Sequence, residues 1–106
     1  MQQEDRKDQL LGMLQEEPDD EFLNYALALE YLRSKEYPLA ASQLMRVLQL
    51  NENYIAAYYQ IGKLHEILNE NDAALKMYHE GRARALAKKD RKSAGEFEEA
   101  IFLLED

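Results

Sequence analysis

Cysteine is missing from the 106 residues, and proline and glycine are scarce, with two and four copies. Without cysteine the chain has no disulfides, no thiolate zinc cage and no thiol nucleophile, and nothing points to an oxidising compartment. No apolar run approaches membrane-spanning length, and the opening stretch Met1-Gln-Gln-Glu-Asp-Arg-Lys-Asp8 is polar. Neither a signal peptide nor a membrane span is expected, and the default location is cytoplasmic. Basic residues are also in the minority, 13 against 21 acidic, for a net charge of −8. A field of that sign repels nucleic acid and anionic lipid.

The charge is unevenly placed. Residues 1–20 carry two basic and seven acidic groups, and residues 93–106 carry five acidic groups and no basic one, so each end sums to −5. Residues 55–92 hold eight basic against five acidic groups, or +3. The basic run Arg82, Arg84, Lys88, Lys89, Arg91 and Lys92 is read as a solvated feature. Cations near a helix C-terminus complement the macrodipole and can balance the acidic terminal helices.

What is abundant is apolar: 46% hydrophobic residues, seven tyrosines and three phenylalanines, enough for one folded domain with a core. Apolar residues recur at spacings of three and four, which predicts amphipathic helices and no strands. Helix punctuation divides the chain into about six helices. Pro18 with Asp19 and Asp20 closes the first and caps the second, and Ser34-Lys35-Glu36 breaks before Tyr37-Pro38. Asn51-Glu52-Asn53 and Asn69-Glu70-Asn71 supply further breaks with capping side chains, and Ser93-Ala-Gly-Glu96 can form a capping box if a helix starts there. Breaks this short make consecutive helices antiparallel neighbours.

The hairpins repeat at a shift of 34 residues. Leu27 falls on Ile61, Ala28 on Gly62, Tyr31 on His65, Ala40 on Ala74 and Leu44 on Tyr78. Only Tyr25/Tyr59, Glu36/Glu70 and Ala40/Ala74 are identical, so the period rests on spacing and side-chain volume. Carried backwards, it sets Leu10 under Leu44 and Leu14 under Leu48. Small residues at 28, 40, 62 and 74 permit close helix approach, while Leu27, Tyr31 and Leu44 and their counterparts fill the space around them.

The second unit, Tyr58-x2-Ile61-Gly62-x2-His65 followed by Ala74-x3-Tyr78, resembles the tetratricopeptide repeat (TPR) pattern of a large residue, aliphatic-Gly, aromatic, then Ala and aromatic. The first unit, Asn24-x2-Leu27-Ala28-x2-Tyr31 with Ala40-x3-Leu44, is a weaker copy, with Asn24 where the family prefers a large aromatic and Glu52 where it often places proline. The likeness covers roughly residues 8–88 and is to small stand-alone bacterial TPR proteins. It implies an all-α, right-handed superhelical array of antiparallel helix hairpins. In this reading residues 5–17 form an N-terminal half-repeat helix, 21–54 repeat one, 55–88 repeat two and 91–105 a C-terminal capping helix. Phe97, Ala100, Ile101 and Leu104 give the last helix one apolar stripe, and Glu96, Glu98, Glu99 and Glu105 supply acidic groups, several for a solvated face.

Function is expected to lie in protein binding. The first helix of repeat one leaves little polar face: Leu23, Leu27 and Tyr31 point to the core, and Phe22, Tyr25, Leu29 and Leu32/Arg33 form a second stripe. The resemblance places that stripe on the concave groove, with Ala56, Tyr59, Lys63 and Glu66 as its counterparts in repeat two. Such a groove suits an apolar helix or an extended peptide. The alternative is a homodimer formed through the same stripe. The carboxylate clamp by which some TPR proteins hold chaperone tails is not matched, because Tyr25, Leu29 and Gln60 stand where it uses Lys and Asn.

No catalytic constellation stands out. His65-Glu66-Ile-Leu-Asn69 resembles the start of HExxH, but Asn69 replaces the second histidine, and His65 fits better as a core or half-buried residue. His79 is placed on the surface. No nucleophile elbow, P-loop or dinucleotide fingerprint occurs, and adjacent Glu98 and Glu99 diverge on a helix. No enzyme activity, metal or cofactor is expected.

Overall fold

Pro18 cannot continue a helix, and the Asp20 carboxylate beyond it accepts the Leu23 N–H at 2.8 Å, so one helix ends and the next starts within four residues. In the computed structural model, which describes the backbone of residues 2–105 and the side chains of residues 6–105, this pattern yields six α-helices and no strand among the described residues. They are α1 (Gln2–Glu16), α2 (Glu21–Arg33), α3 (Tyr37–Leu50), α4 (Ile55–Ile67), α5 (Asn71–Ala87) and α6 (Arg91–Glu105). The chain divides into two units, Met1–Glu52 with α1 to α3 and Asn53–Asp106 with α4 to α6.

The turns at Ser34, Leu68 and Lys88 share one construction. Lys35, Asn69 and Lys89 adopt left-handed conformations, φ 60°, 61° and 61°. The next N–H reaches back to the carbonyl five residues earlier: Glu36 to Tyr31 (2.9 Å), Glu70 to His65 (2.8 Å) and Asp90 to Ala85 (2.8 Å). These are Schellman ends, which satisfy the last helical carbonyls. The identical Glu36 and Glu70 therefore occupy the same structural place. Their carboxylates turn to other partners, Lys7 Nζ at 2.6 Å and His65 Nδ1 at 2.8 Å. His65 is half-buried, as expected from its repeat position.

Three expected caps differ. The N-cap positions of α4 and α5 are Tyr54 and Glu70, and neither side chain caps. Asn69 ends α4 through its backbone, and Asn53 Oδ1 instead accepts from the Arg84 guanidinium at 3.0 Å. The last helix is Arg91–Glu105, so Ser93 lies inside it and starts no capping box. Asp90 is its cap, accepting the Ser93 N–H at 3.1 Å, and hydrogen bonds from Ser93 hold the Asp90 carboxyl below the usual carboxylate range. α5 runs 17 residues where α3 runs 14, because Ala85-Leu86-Ala87 are good helix formers.

In the first unit Leu10, Ala26 and Leu27 form a cluster with Leu14, Leu23 and Tyr31 packed against it. Glu30 is buried within α2, its side chain 4% exposed, and accepts from Arg6 Nε of α1 at 3.1 Å, tying the two helices together. Asn24, the departure from the repeat pattern, is buried but satisfied: its amide donates to the carbonyls of Pro18 (3.1 Å) and Asp20 (2.7 Å), and its Oδ1 accepts from Gln43 of α3 at 2.5 Å.

In the second unit the small residues decide the packing. Methyl groups at Gly62 and Gly81 would lie 2.6 Å from Tyr78 Cδ1 and 2.6 Å from Phe97 Cε1, inside van der Waals contact. Gly81 therefore seats α6 on α5 as Gly62 seats α5 on α4. Ala28, Ala40, Ala74, Leu44 and Tyr78 are fully buried, as the repeat reading expects. Ala74→Leu should cost about 1–3 kcal/mol by overpacking; an unchanged urea midpoint would refute this account of the alanine.

Candidate functional site

In the first unit α2 sends its two sides to different surroundings. Ala26, Leu27 and Ala28 are buried, whereas Phe22 is 64% exposed and Tyr25, Leu29 and Leu32 are half-buried. Those four recur at intervals of three and four and so share one helical face. Arg33 ends this face, exposed, with Nε 3.8 Å from the buried Glu30 carboxylate. The surface is an apolar strip of one phenyl ring, one phenol and two leucines, with a cation at its C-terminal end.

The corresponding face of α4 in the second unit is more polar and more committed to its own unit. Ala56 and Lys63 are exposed, Tyr59 and Glu66 half-buried. The Tyr59 ring packs against Tyr78 and Phe97, with centroids 5.8 Å away in each case, and the Lys63 ammonium lies 5.7 Å from the Tyr59 ring centre. Glu66 accepts a hydrogen bond from the Tyr78 hydroxyl. Burial of Tyr78, reinforced by this bond and the Glu66 charge, raises its pKa above the ordinary tyrosine value.

The basic run is also more engaged than a solvated face requires. Arg82 Nε meets Glu98 at 2.8 Å, and the Arg84 guanidinium lies over the Tyr58 ring at 5.4 Å. His79 is exposed, 3.8 Å from Glu105. The acidic face of α6 is thus partly paired, and the helix is apolar on a second side too: Phe102 and Leu103 are 69% and 67% exposed. The uninterrupted run Ala100-Ile101-Phe102-Leu103-Leu104 was the sequence signal for this, since five successive residues go round more than a full helical turn. Among the described residues no group of three His, Asp or Glu side chains is placed to hold a metal, and no helix is long and apolar enough to cross a membrane.

This arrangement of helices has solved counterparts. The crystal structure of a tetratricopeptide repeat domain protein from Salinibacter ruber superposes with a TM-score of 0.76 at 30% identity, covering 81% of this chain and 96% of that one. A solution structure of a tetratricopeptide repeat domain protein from the same organism gives 0.79 at 31% identity, over 83% and 89% of the two chains. The chain belongs to the tetratricopeptide repeat family. A protein from Bordetella parapertussis shares the fold at a TM-score of 0.83 and 21% identity, over 92% of this chain and 85% of that one. No family model and no curated protein matches the sequence. Membership supports a generic role for this TPR protein as a protein-interaction module.

Proposed function

We propose that this TPR protein docks a helix or extended peptide of another protein on the apolar face of α2, through Phe22, Tyr25, Leu29 and Leu32, with Arg33 at its end. Phe22 carries the reading: a phenyl ring 64% exposed on a helix whose opposite side is packed. Aromatic anchors ringed by aliphatic contacts commonly dominate such interfaces. The α4 face of the second unit, Ala56, Tyr59, Lys63 and Glu66, is by itself a mixed surface suited to a more polar peptide. Because Tyr59 is stacked on two core rings, its removal would damage folding together with binding, so Phe22 is the cleaner probe.

Phe22→Ala is expected to leave stability within about 0.5 kcal/mol while costing a captured partner about tenfold or more in affinity. Affinity capture from the native organism, with wild type and Phe22→Ala as parallel baits, checks this. Equal recovery of the same proteins would reject the α2 face. Sedimentation over a range of concentrations tests the second occupant of that face: a dimer abolished by Phe22→Ala would make the surface a homodimer interface instead.

A further inference from the structure

We propose that the outward face of α6, formed by Glu96, Glu99, Phe102 and Leu103, is a separate docking site for a basic amphipathic helix of another protein. At 3.6 residues per turn, buried Ala94, Phe97, Ala100 and Ile101 line one side of α6, and the four named residues fall on the opposite side. Phe102 and Leu103 are more exposed than any other large hydrophobic residue described in the chain. Both lie mostly in solvent, whereas Phe97 secures the packing of α6 from the other side. Gly95 lies on the same outward face, with nothing within 4 Å of a methyl group placed on it, so no contact inside the chain calls for glycine there.

Charge selects the occupant. Glu98 is paired with Arg82 and Glu105 lies near His79, whereas Glu96 and Glu99 are exposed beside the two apolar side chains, within reach of a ligand covering them. Pairing of α6 with the α6 or the N-terminal helix of a second copy is disfavoured, because residues 93–106 and residues 1–20 each sum to −5 and would oppose like charges; of the basic run, Arg82 is already engaged with Glu98, and Arg84 with Glu80 and the Tyr58 ring. A partner helix with Lys or Arg flanking an apolar stripe satisfies both features.

The test is fluorescence anisotropy of a short labelled helical peptide of leucine and lysine, against the same pattern with glutamate in place of lysine. Full-length protein should bind the lysine peptide and not the glutamate one. Phe102→Ala/Leu103→Ala should weaken binding about tenfold or more, and Glu96→Gln/Glu99→Gln should weaken it severalfold and flatten its salt dependence. All four positions are exposed, so thermal melts should stay near wild type. Phe22→Ala should leave binding unchanged, which separates this site from the α2 face. Equal binding of both peptides, undiminished binding by the Phe102→Ala/Leu103→Ala protein, or loss of binding in Phe22→Ala would overturn the proposal. So would a dimer that Phe102→Ala dissolves, which would give the face to a second copy.

Discussion

Phe97→Ala is expected to cost about 3–5 kcal/mol of unfolding free energy. The ring is 1% exposed, with centroids 5.8 Å from Tyr59 and 6.3 Å from Tyr78, and it fills the space that Gly81 leaves open. Its neighbours cannot collapse into the void. Tyr59 and Tyr78 are held by each other, and Tyr78 also by Glu66. A domain of this length has about 5–15 kcal/mol in total, so the change removes much of what holds α6 in place. Phe102→Ala, five residues away on the exposed side, should change stability by less than about 0.5 kcal/mol. Urea titrations of the two variants read the contrast directly, and similar losses would refute the assignment of faces to α6. Gly81→Ala approaches the same contact from the other partner. Its methyl would also meet Tyr58 Cβ at 2.8 Å, a group that cannot rotate away, so overpacking should exceed the helix-propensity gain.

The repeat was readable because it is written in side-chain volume. Leu27 and Ile61, Ala28 and Gly62, Ala40 and Ala74 recur at a fixed interval, and each pair is buried. The helix ends were less readable. A lysine is a poor signal for a left-handed residue, yet Lys35 and Lys89 take that conformation because the carbonyls of Tyr31 and Ala85 gain backbone partners there. Asp90 escaped notice beside Ser93-Ala-Gly-Glu96, a sequence with the spacing of a capping box. Gly81 escaped because a lone glycine in a helix shows its purpose only against the ring it faces, and Phe97 lies on another helix. The α2 face was legible as a stripe of apolar residues, but the division of labour within the α4 face was not. That Tyr59 leans on Tyr78 and Phe97 depends on where two later helices pass.

Alkaline pH should destabilise the second unit through Tyr78. Its ring is fully buried, and its hydroxyl donates to Glu66, so ionisation would remove the donor and set two negative oxygens against each other. Its folded pKa accordingly lies above the unfolded value of about 10. Above that pH the unfolded chain has released the tyrosine proton while the folded chain still holds it. The folded state then binds more protons, and stability falls as pH rises. The contribution is complete below about pH 10 and declines above it by about 1.4 kcal/mol per pH unit for this one group. Tyr78→Phe removes the titrating proton but keeps the ring. It should cost about 1–2 kcal/mol at neutral pH, from the lost bond to a charged acceptor, yet flatten the alkaline slope by one proton. Paired urea titrations between pH 8 and about 11.5 measure both effects, and an unchanged slope in Tyr78→Phe would show that other groups drive alkaline unfolding. The half-buried Glu66 can recover water when the phenol is gone, which keeps the neutral-pH loss below the cost of removing the ring. Tyr78→Ala, which opens a cavity beneath Gly62, should lose about 3–5 kcal/mol, so the order Phe97→Ala and Tyr78→Ala together, then Tyr78→Phe, separates ring packing from the hydroxyl bond.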